Sequence, residues 1–303
     1  MGKGKKKSNK GKKRGGKKNR DDTGVDDSSR NIPPELMERA KMAAANRTED
    51  PLKNWTRLQN EECPICMLPL PLRGSDTTYC VTCGKTVCMG CMISTGIVHG
   101  RDSGDVEKAT EKALTCPYCR SSTTRYDAKS VFEKEMKRAN AGNAESMCRV
   151  GQCYSKGKMD LQQDKAEGLK WLHRSVEAGS GCAAFNLGRC YLKGDGVGQD
   201  NDKALEYFQK GADLGYIPAF SMIGHLLLYK GEIEEGMLNF RKAAMCGMSE
   251  DILFDQLREG FYYGYITKDE YAFTLRENQA ACYEMKSDGR EKWLESRLDN
   301  PDL

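Results

Sequence analysis

The chain has 303 residues, 30% of them charged, and a mean hydropathy of −0.70, which leaves room for two modest domains. No run approaches the roughly 18 apolar residues that a membrane-spanning helix needs, and no apolar segment of the signal-peptide kind follows the basic start. We therefore expect the 14 cysteines to stay reduced, in the cytoplasm, the nucleus or both, where clustered cysteines indicate metal binding before disulfides.

The net charge of +4 is unevenly distributed. Residues 1–20 contain nine Lys, two Arg and no acidic residue, a charge of +11 that leaves −7 for the rest of the chain. Because residues 1–31 contain almost no apolar side chains, we expect them to form a disordered basic tail. Three interpretations of this tail stay open: a nuclear-import signal, a nonspecific contact with nucleic acid or another anionic surface, or a solubilising segment without a partner.

Three segments follow the tail. Residues 32–59 are a predicted helical lead-in, since Pro34 stands in the first turn of an amphipathic run. Residues 60–122, which we call the cysteine module, contain eight of the 14 cysteines. Residues 123–142 predict a mostly helical connector.

Four Cys-x-x-Cys pairs occupy 57 residues of the cysteine module: Cys63/Cys66, Cys80/Cys83, Cys88/Cys91 and Cys116/Cys119. Two intervening residues let both sulfurs of a pair reach one ion, which is half of a tetrahedral site with Zn–S distances of about 2.3 Å. Four halves make two sites without an open coordination position, so we expect two structural zinc ions. The spacing leaves two solutions open: pairs joined in sequence, or interleaved pairs, the first with the third and the second with the fourth.

Three segments of the cysteine module combine its cysteines with characteristic neighbours: Cys63-Pro64-Ile65-Cys66, Cys88-x-x-Cys91 and Cys116-Pro117-Tyr118-Cys119-Arg120. They carry the module's resemblance to the RING family of zinc domains. It implies the interleaved cross-brace, in which one zinc is held by Cys63, Cys66, Cys88 and Cys91 and the other by Cys80, Cys83, Cys116 and Cys119. Most of the family has a His at the fourth or fifth ligand position, where this chain has Cys83 and Cys88, so the resemblance is to an all-cysteine variant. His99 stands outside the pairs and is expected to be a surface or helix-end residue.

The resemblance also implies a function. In ubiquitin-ligase RING domains, the residue between the first cysteines and the Pro of the last pair form a groove for the ubiquitin-conjugating enzyme, and these positions correspond to Ile65 and Pro117. Arg120, after the final cysteine, is similar to the linchpin that bridges the conjugating enzyme and its ubiquitin. Such a ligase has no catalytic residue of its own, because it acts by orientation. The alternative is that Ile65 and Pro117 only pack the zinc turns and that Arg120 is solvated.

The segment from Cys80 to Cys88 has the spacing Cys-x-x-Cys-Gly-x-x-x-Cys, and Trp55 lies upstream of it. Both features resemble the FYVE-type fingers, the rival two-zinc family, which often has a Trp at that place. FYVE fingers hold a phosphoinositide with Arg and His before the third cysteine, but residues 74–79 contain no cation here. Phosphate recognition needs positive charge or helix-end amides, so a phosphoinositide-binding adaptor is the third hypothesis.

After residue 142 the sequence repeats itself. The segment Gly151-x-Cys153-Tyr154-x-Lys156-Gly157 recurs 37 residues later as Gly188-x-Cys190-Tyr191-x-Lys193-Gly194. Residues 171–179 match residues 207–215, and a third copy ends at Gly247. Each unit predicts two antiparallel helices with a glycine C-cap.

These units resemble the Sel-one-like repeats, relatives of the tetratricopeptide family. The second unit carries the resemblance best, at Ala184, Leu187, Gly188, Tyr191, Gly194, Gly196, Val197, Asp200, Lys203, Ala204, Tyr207, Lys210, Ala212 and Gly215. The first unit departs from the family frame at Glu167-Gly168, where Lys-Ala is usual. The resemblance covers residues 143–247 and implies a solenoid whose surface binds a protein substrate or adaptor. Residues 248–303 are expected to be a degenerate fourth unit or helical cap, with a helix near Lys268–Met285.

The predicted architecture is thus a small two-zinc RING-like domain followed by an all-α helical-repeat solenoid. The predicted function is a RING-type ubiquitin-protein transferase that binds a ubiquitin-conjugating enzyme through its zinc domain and a substrate or adaptor through its repeats. A non-enzymatic zinc-binding scaffold for protein interactions is the alternative. The cysteines outside the module are expected to be small buried apolar residues, and they are Cys148, Cys153, Cys182, Cys190, Cys246 and Cys282.

Overall fold

The computed structural model of the protein describes residues 32–58, 61–72, 77–80, 82–92, 116–121, 127–288 and 290–291. The predicted basic tail, His99 and residues 73–76 lie outside these ranges. The described residues include a two-stranded antiparallel sheet, with strands β1 (Thr77–Tyr79) and β2 (Thr86–Cys88), and the ten helices that follow, besides short helical segments at 89–92 and near 290. The helices are α1 (Pro34–Ala45), α2 (Ala128–Asn140), α3 (Ala144–Lys156), α4 (Lys165–Glu177), α5 (Gly181–Lys193), α6 (Asn201–Asp213), α7 (Pro218–Tyr229), α8 (Ile233–Met245), α9 (Asp251–Tyr262) and α10 (Lys268–Glu284). Within the described ranges, no helix is both long and apolar enough to cross a membrane.

The repeated sequence sets the ends of the repeat helices. Asp164 and Asp200 are the N-caps of α4 and α6, and each carboxylate accepts a hydrogen bond from the backbone N–H three residues further on, at 2.9 Å. Gly157 and Gly194 end α3 and α5 with φ angles of 61° and 70°, in the left-handed region that glycine enters without a Cβ clash. The glycine C-caps predicted for these two helices are confirmed.

Small residues allow the two helices of a unit to approach closely. In the first unit, a Cβ added to Gly151 would lie 2.9 Å from the carbonyl oxygen of Gly168, and one added to Gly168 would lie 2.8 Å from that of Gly151. In the second unit, a Cβ added to Gly188 would lie 3.1 Å from the carbonyl oxygen of Ala204. The departure from the family frame at Gly168 therefore has a steric reason, because a Cβ there would clash with the Ser155 side chain and lie 2.8 to 2.9 Å from backbone atoms of α3.

A further helix pair, α7 with α8, is followed by α9 and α10, which both pack on α8. We call helices α2–α10 the helical array. Its largest apolar core includes the fully buried side chains of Phe208, Phe240 and Leu257. A capping box starts α10, in which the Thr267 hydroxyl accepts from the Glu270 N–H and the Glu270 carboxylate accepts from the Thr267 N–H. The helix predicted near Lys268–Met285 is therefore present as α10.

The N-terminal segment packs against the later helices. α1 contacts α8, and residues 46–58 continue without helical structure over α7, α8 and α10. The ring of Trp55 packs edge-on against that of Phe220 in α7, with centroids 6.1 Å apart. Only the first part of the predicted lead-in is helical, because α1 ends at the C-cap Asn46 and Asp50-Pro51 favours a turn after it.

A buried ionic cluster holds this segment in place. The guanidinium of Arg241 is 1% exposed, pairs with Asp50 at 2.5 Å and Glu270 at 3.4 Å, and donates to the hydroxyl of Thr274 at 2.9 Å. Arg47 pairs with the same Glu270 carboxylate at 2.5 Å. Residues 46–58 are thus joined by ion pairs to both α8 and α10.

Candidate metal centre

Three of the four cysteine pairs form the same tight turn. In each turn, the N–H of the residue after the second cysteine donates to the carbonyl oxygen of the first cysteine, at 2.7 to 2.9 Å. The N–H of the first cysteine donates to the carbonyl oxygen two residues beyond the second, at 2.8 to 2.9 Å. We call residues 63–68, 80–85 and 116–121 the first, second and last cysteine turns. The residues after the second cysteines have left-handed φ angles of 56° to 72°, and they are Met67, Gly84 and Arg120.

The β hairpin separates the second cysteine pair from the third. Cys80 directly follows β1 and Cys83 lies in the hairpin turn, whereas Cys88 is the last residue of β2, at the other end of the strand pair. At a rise of about 3.3 Å per residue, the strand carries Cys88 away from the turn. Residues 89–92 are helical and place Cys91 beside Cys88, whose sulfur accepts from the Cys91 N–H at 3.4 Å. The two pairs therefore have different neighbours, although only four residues separate them.

The sulfur atoms gather in two groups of four, and within each group all lie within 4.8 Å of one another. The first sulfur group is Cys63, Cys66, Cys88 and Cys91, and the second is Cys80, Cys83, Cys116 and Cys119. The structure thus brings the first pair to the third and the second pair to the fourth. This is the interleaved arrangement that the RING resemblance implies.

The spacing of the sulfurs suits a tetrahedral metal ion. Four sulfurs at about 2.3 Å from a central zinc lie about 3.8 Å apart along the edges of the tetrahedron. The sulfur–sulfur distances between pairs are 3.5 Å for Cys80–Cys119 and 3.9 Å for both Cys66–Cys88 and Cys83–Cys116. A disulfide needs about 2.05 Å, and all of these cysteines are free.

The thiols of the second sulfur group do not ionise alike. Burial raises the pKa of Cys80, but hydrogen bonds from the backbone of Cys83 and from the Ser121 hydroxyl outweigh it and lower the pKa to about 6. Burial, and then the hydrogen bond and charge of Cys80, raise the pKa of Cys83 to about 12. The Cys80 thiolate is therefore stable at neutral pH, whereas ionising Cys83 needs a nearby cation.

The first sulfur group repeats this pattern. Burial raises the pKa of Cys63, but backbone hydrogen bonds, chiefly from Cys66 and Cys88, lower it to about 7. Burial and a hydrogen bond with Cys88 raise the pKa of Cys91. A divalent cation provides the positive charge that lets four such thiols ionise together. Four clustered thiols at tetrahedral spacing are the donor set that zinc prefers, so both sulfur groups fit structural zinc.

The residues predicted to bind a conjugating enzyme lie on two of the turns. Ile65 is 37% exposed in the first cysteine turn, whereas Pro117 is half-buried and Arg120 exposed in the last. The first turn belongs to the first sulfur group and the last turn to the second. The position of Ile65 relative to Pro117 and Arg120 therefore depends on the cross-brace that interleaves the two groups. Tyr118, at 52% exposure, occupies the same place in its turn as Ile65 and has no predicted role. The repeated Cys-Pro-x-Cys frame is the sequence signal that points to it.

Another flank of the cysteine module lies against α2 and α3. The guanidinium of Arg149 stacks over the ring of Tyr79, 3.5 Å from its centroid, and the Tyr79 hydroxyl lies 3.5 Å from the Glu135 carboxylate. Arg138 donates to the carbonyl oxygen of Thr82 at 3.1 Å. The module is thus attached to the start of the helical array through β1 and the second cysteine turn.

The model of the Sel1 repeat family matches residues 144–180 and 183–216. The chain therefore contains two Sel1 repeats, built from α3 with α4 and from α5 with α6. This match confirms the Sel-one-like prediction for the first two units. The third predicted unit, α7 with α8, lies beyond the matched residues.

Similar solved structures include a Sel1 repeat protein from Oxalobacter formigenes, at 17% identity over 70% of this chain and 78% of that chain, with a TM-score of 0.45. Another is c5321, a protective antigen of uropathogenic Escherichia coli strains with an SLR fold, at 20% identity, 70% coverage of this chain and a TM-score of 0.44; the match covers only 42% of that antigen. The immunity protein Pa5087 from Pseudomonas aeruginosa is similar at 16% identity over 69% of this chain and 84% of that one, with a TM-score of 0.36. The comparison with curated proteins gave no match.

Proposed function

We propose that the protein is a RING-type ubiquitin ligase in which each sulfur group holds one structural zinc ion. The cysteine module binds a ubiquitin-conjugating enzyme, and the Sel1 repeats bind the substrate or an adaptor. Bound zinc supplies the folding energy of a module that has little apolar core of its own.

The division of the module's surface supports this proposal. Tyr79 and Thr82 contact the helical array, whereas Ile65 and Arg120 stay exposed. A surface that recruits another protein has to remain open when the module is attached to its own chain. Exposed apolar and arginine side chains are also the types that anchor protein interfaces.

The chain's own residues then act by binding and orientation. Ile65 and Pro117 provide apolar contacts for the conjugating enzyme. The planar guanidinium of Arg120 donates to carbonyl groups on the enzyme and on its ubiquitin at once, which a Lys ammonium does less well. Holding ubiquitin in one reactive orientation raises the transfer rate without a catalytic group on this chain.

An autoubiquitination assay with a panel of conjugating enzymes tests the proposal. We expect Ile65→Ala and Arg120→Gly to slow ubiquitin transfer about tenfold or more, a loss of about 1.4 kcal/mol in transition-state stabilisation, while two zinc ions per chain are retained. Glycine is chosen at Arg120 because the left-handed backbone accepts it without strain, as it does at Gly84. Lys85→Ala is the matched control. It deletes an exposed positive charge within the second cysteine turn and should leave the rate unchanged.

A non-enzymatic zinc-and-repeat scaffold is the second candidate, and one observation favours it. Arg120 takes the same left-handed turn position as Met67 and Gly84, so the turn explains its conformation and exposure without a partner. If the wild-type protein holds two zinc ions but fails to transfer ubiquitin with every conjugating enzyme of the panel, the scaffold is established and the ligase is refuted. The phosphoinositide hypothesis loses support at Trp55, whose ring packs on Phe220 of the helical array.

A further inference from the structure

Arg290 joins the end of the described chain to the first cysteine turn. Its side chain is 6% exposed and lies six residues beyond the end of α10. One guanidinium nitrogen donates to the carbonyl oxygen of Pro69 at 2.8 Å and also to that of Met285. The other lies 3.4 Å from the carbonyl oxygen of Leu68 and 3.5 Å from the sulfur of Cys66.

The burial of this guanidinium calls for a nearby negative charge. A buried cation is costly unless it is paired, and among the described residues no carboxylate forms an ion pair with Arg290. Its Nε also has no hydrogen-bond partner within the described ranges. A zinc ion with four thiolate ligands carries a net charge of about −2, and Cys66 is one of those thiolates in the proposed site.

We propose that Arg290 is the outer-sphere partner of the first zinc site, so that zinc binding there and docking of residues 285–291 on the first cysteine turn are one coupled equilibrium. This inference rests on the zinc occupancy proposed above. An N–H group that donates to a coordinating sulfur fixes the ligand's position and offsets the charge of the site. Coupling of this kind is reciprocal: zinc strengthens the docking of the chain end, and docking strengthens the binding of zinc.

The second sulfur group has a different outer environment. The hydroxyl of Ser121 lies 2.9 Å from the sulfur of Cys119 and 3.5 Å from that of Cys80. Arg138 donates to the Thr82 carbonyl of the second turn, but it has a carboxylate partner in Glu135 at 3.1 Å. Arg138 is therefore a matched control: an arginine that touches a cysteine turn and whose charge is already balanced.

The test compares full-length wild type, Arg290→Gln, Arg290→Lys and Arg138→Gln, each first assayed for zinc content. A chromogenic chelator then times zinc release, and hydrogen exchange of residues 280–291 is followed in the same samples. We expect Arg290→Gln to release one of its two zinc ions about tenfold faster or more, with the other unchanged, and to lose exchange protection at 280–291. Arg290→Lys should release zinc more slowly than Arg290→Gln and should retain more exchange protection, because it keeps the positive charge.

The reciprocal measurement uses wild type alone. Removing zinc with the chelator should raise hydrogen exchange at residues 280–291 when the first zinc site empties, whichever ion leaves first. If wild type holds two zinc ions and Arg290→Gln releases both at the wild-type rate, the coupling is refuted and the proposed function stands. An equal effect of Arg138→Gln on the same zinc ion refutes it as well. Wild type without zinc would refute both this inference and the proposed zinc sites.

Discussion

Arg241 shows how a single buried charge depends on its neighbours. Its guanidinium is 1% exposed and is balanced by Asp50 and Glu270. A buried ion pair adds little net stability because desolvation offsets the attraction, but removing one partner leaves the other charge buried and unpaired. The cluster is therefore worth more as a link between residues 46–58 and the helical array than as a gain in stability.

We expect Arg241→Met to lower the free energy of unfolding by about 3 kcal/mol, measured by urea denaturation, because Asp50 then loses its buried partner. Lys165→Met is the control: its pair with Asp195 is 46% and 45% exposed, and solvent screens such a pair, so we expect no measurable loss. Similar losses in the two variants would show that burial does not decide the strength of these pairs.

The six cysteines outside the sulfur groups differ in how deeply they are buried. Cys148, Cys153 and Cys246 are buried, whereas Cys182, Cys190 and Cys282 are partly buried in the structure. Their prediction as small packing residues followed from their helical positions alone. The degree to which each cysteine is buried depends on the helix that packs against it, and the cysteine's own position in the sequence does not specify that helix.

The helix pair of the first Sel1 repeat shows the same dependence at the scale of elements. Helix propensity and the family frame both favour Ala at position 168, and Ala stabilises a helix by about 1 kcal/mol over Gly. The backbone of α3 opposes this preference, because a Cβ on Gly168 would lie 2.8 Å from the Gly151 carbonyl oxygen. Contact between helices therefore outweighs propensity at this position.

We expect Gly168→Ala to destabilise the protein by about 1 to 3 kcal/mol, the usual cost of overpacking, as measured by thermal or urea unfolding. Gly198→Ala is the control, since a Cβ there meets nothing within 4 Å and its φ is not left-handed. If Gly168→Ala were neutral or stabilising, α3 and α4 would have to move apart without loss, and the close approach would carry no energetic weight.

The cysteine module contacts both the start of the helical array and the segment that follows its last helix. Tyr79 attaches it to α2 and α3, and Arg290 attaches it to the segment after α10. The module is thus held on two flanks, while Ile65 and Arg120 remain exposed. If the module binds a conjugating enzyme as proposed, this attachment would give that enzyme a defined position relative to the repeats.

We expect Tyr79→Ala to loosen this attachment, because Arg149 loses a cation–π contact worth about 0.5 to 2 kcal/mol. Hydrogen exchange should rise in α2, in α3 and at residues 77–92, with two zinc ions per chain retained. Tyr79→Phe keeps the ring under Arg149 and loses only the contacts of its hydroxyl, among them the one with Glu135 at 3.5 Å, so it should exchange like wild type. Unchanged exchange in Tyr79→Ala would mean that the attachment depends on other contacts.

Local sequence patterns alone determined the helix ends at Asp164, Asp200, Gly157 and Gly194 and the grouping of cysteines into close pairs, because caps and tight turns involve residues a few positions apart. Spacing alone left open whether the cysteine pairs join in sequence or interleave. The β hairpin decides between these two arrangements, because Cys83 and Cys88 lie at its opposite ends and so belong to different sulfur groups. The ion pair between Asp50 and Arg241 spans 191 positions and the contact between Cys66 and Arg290 spans 224. Contacts between residues so far apart in sequence depend on how helices and strands pack against one another, so only the tertiary structure could reveal them.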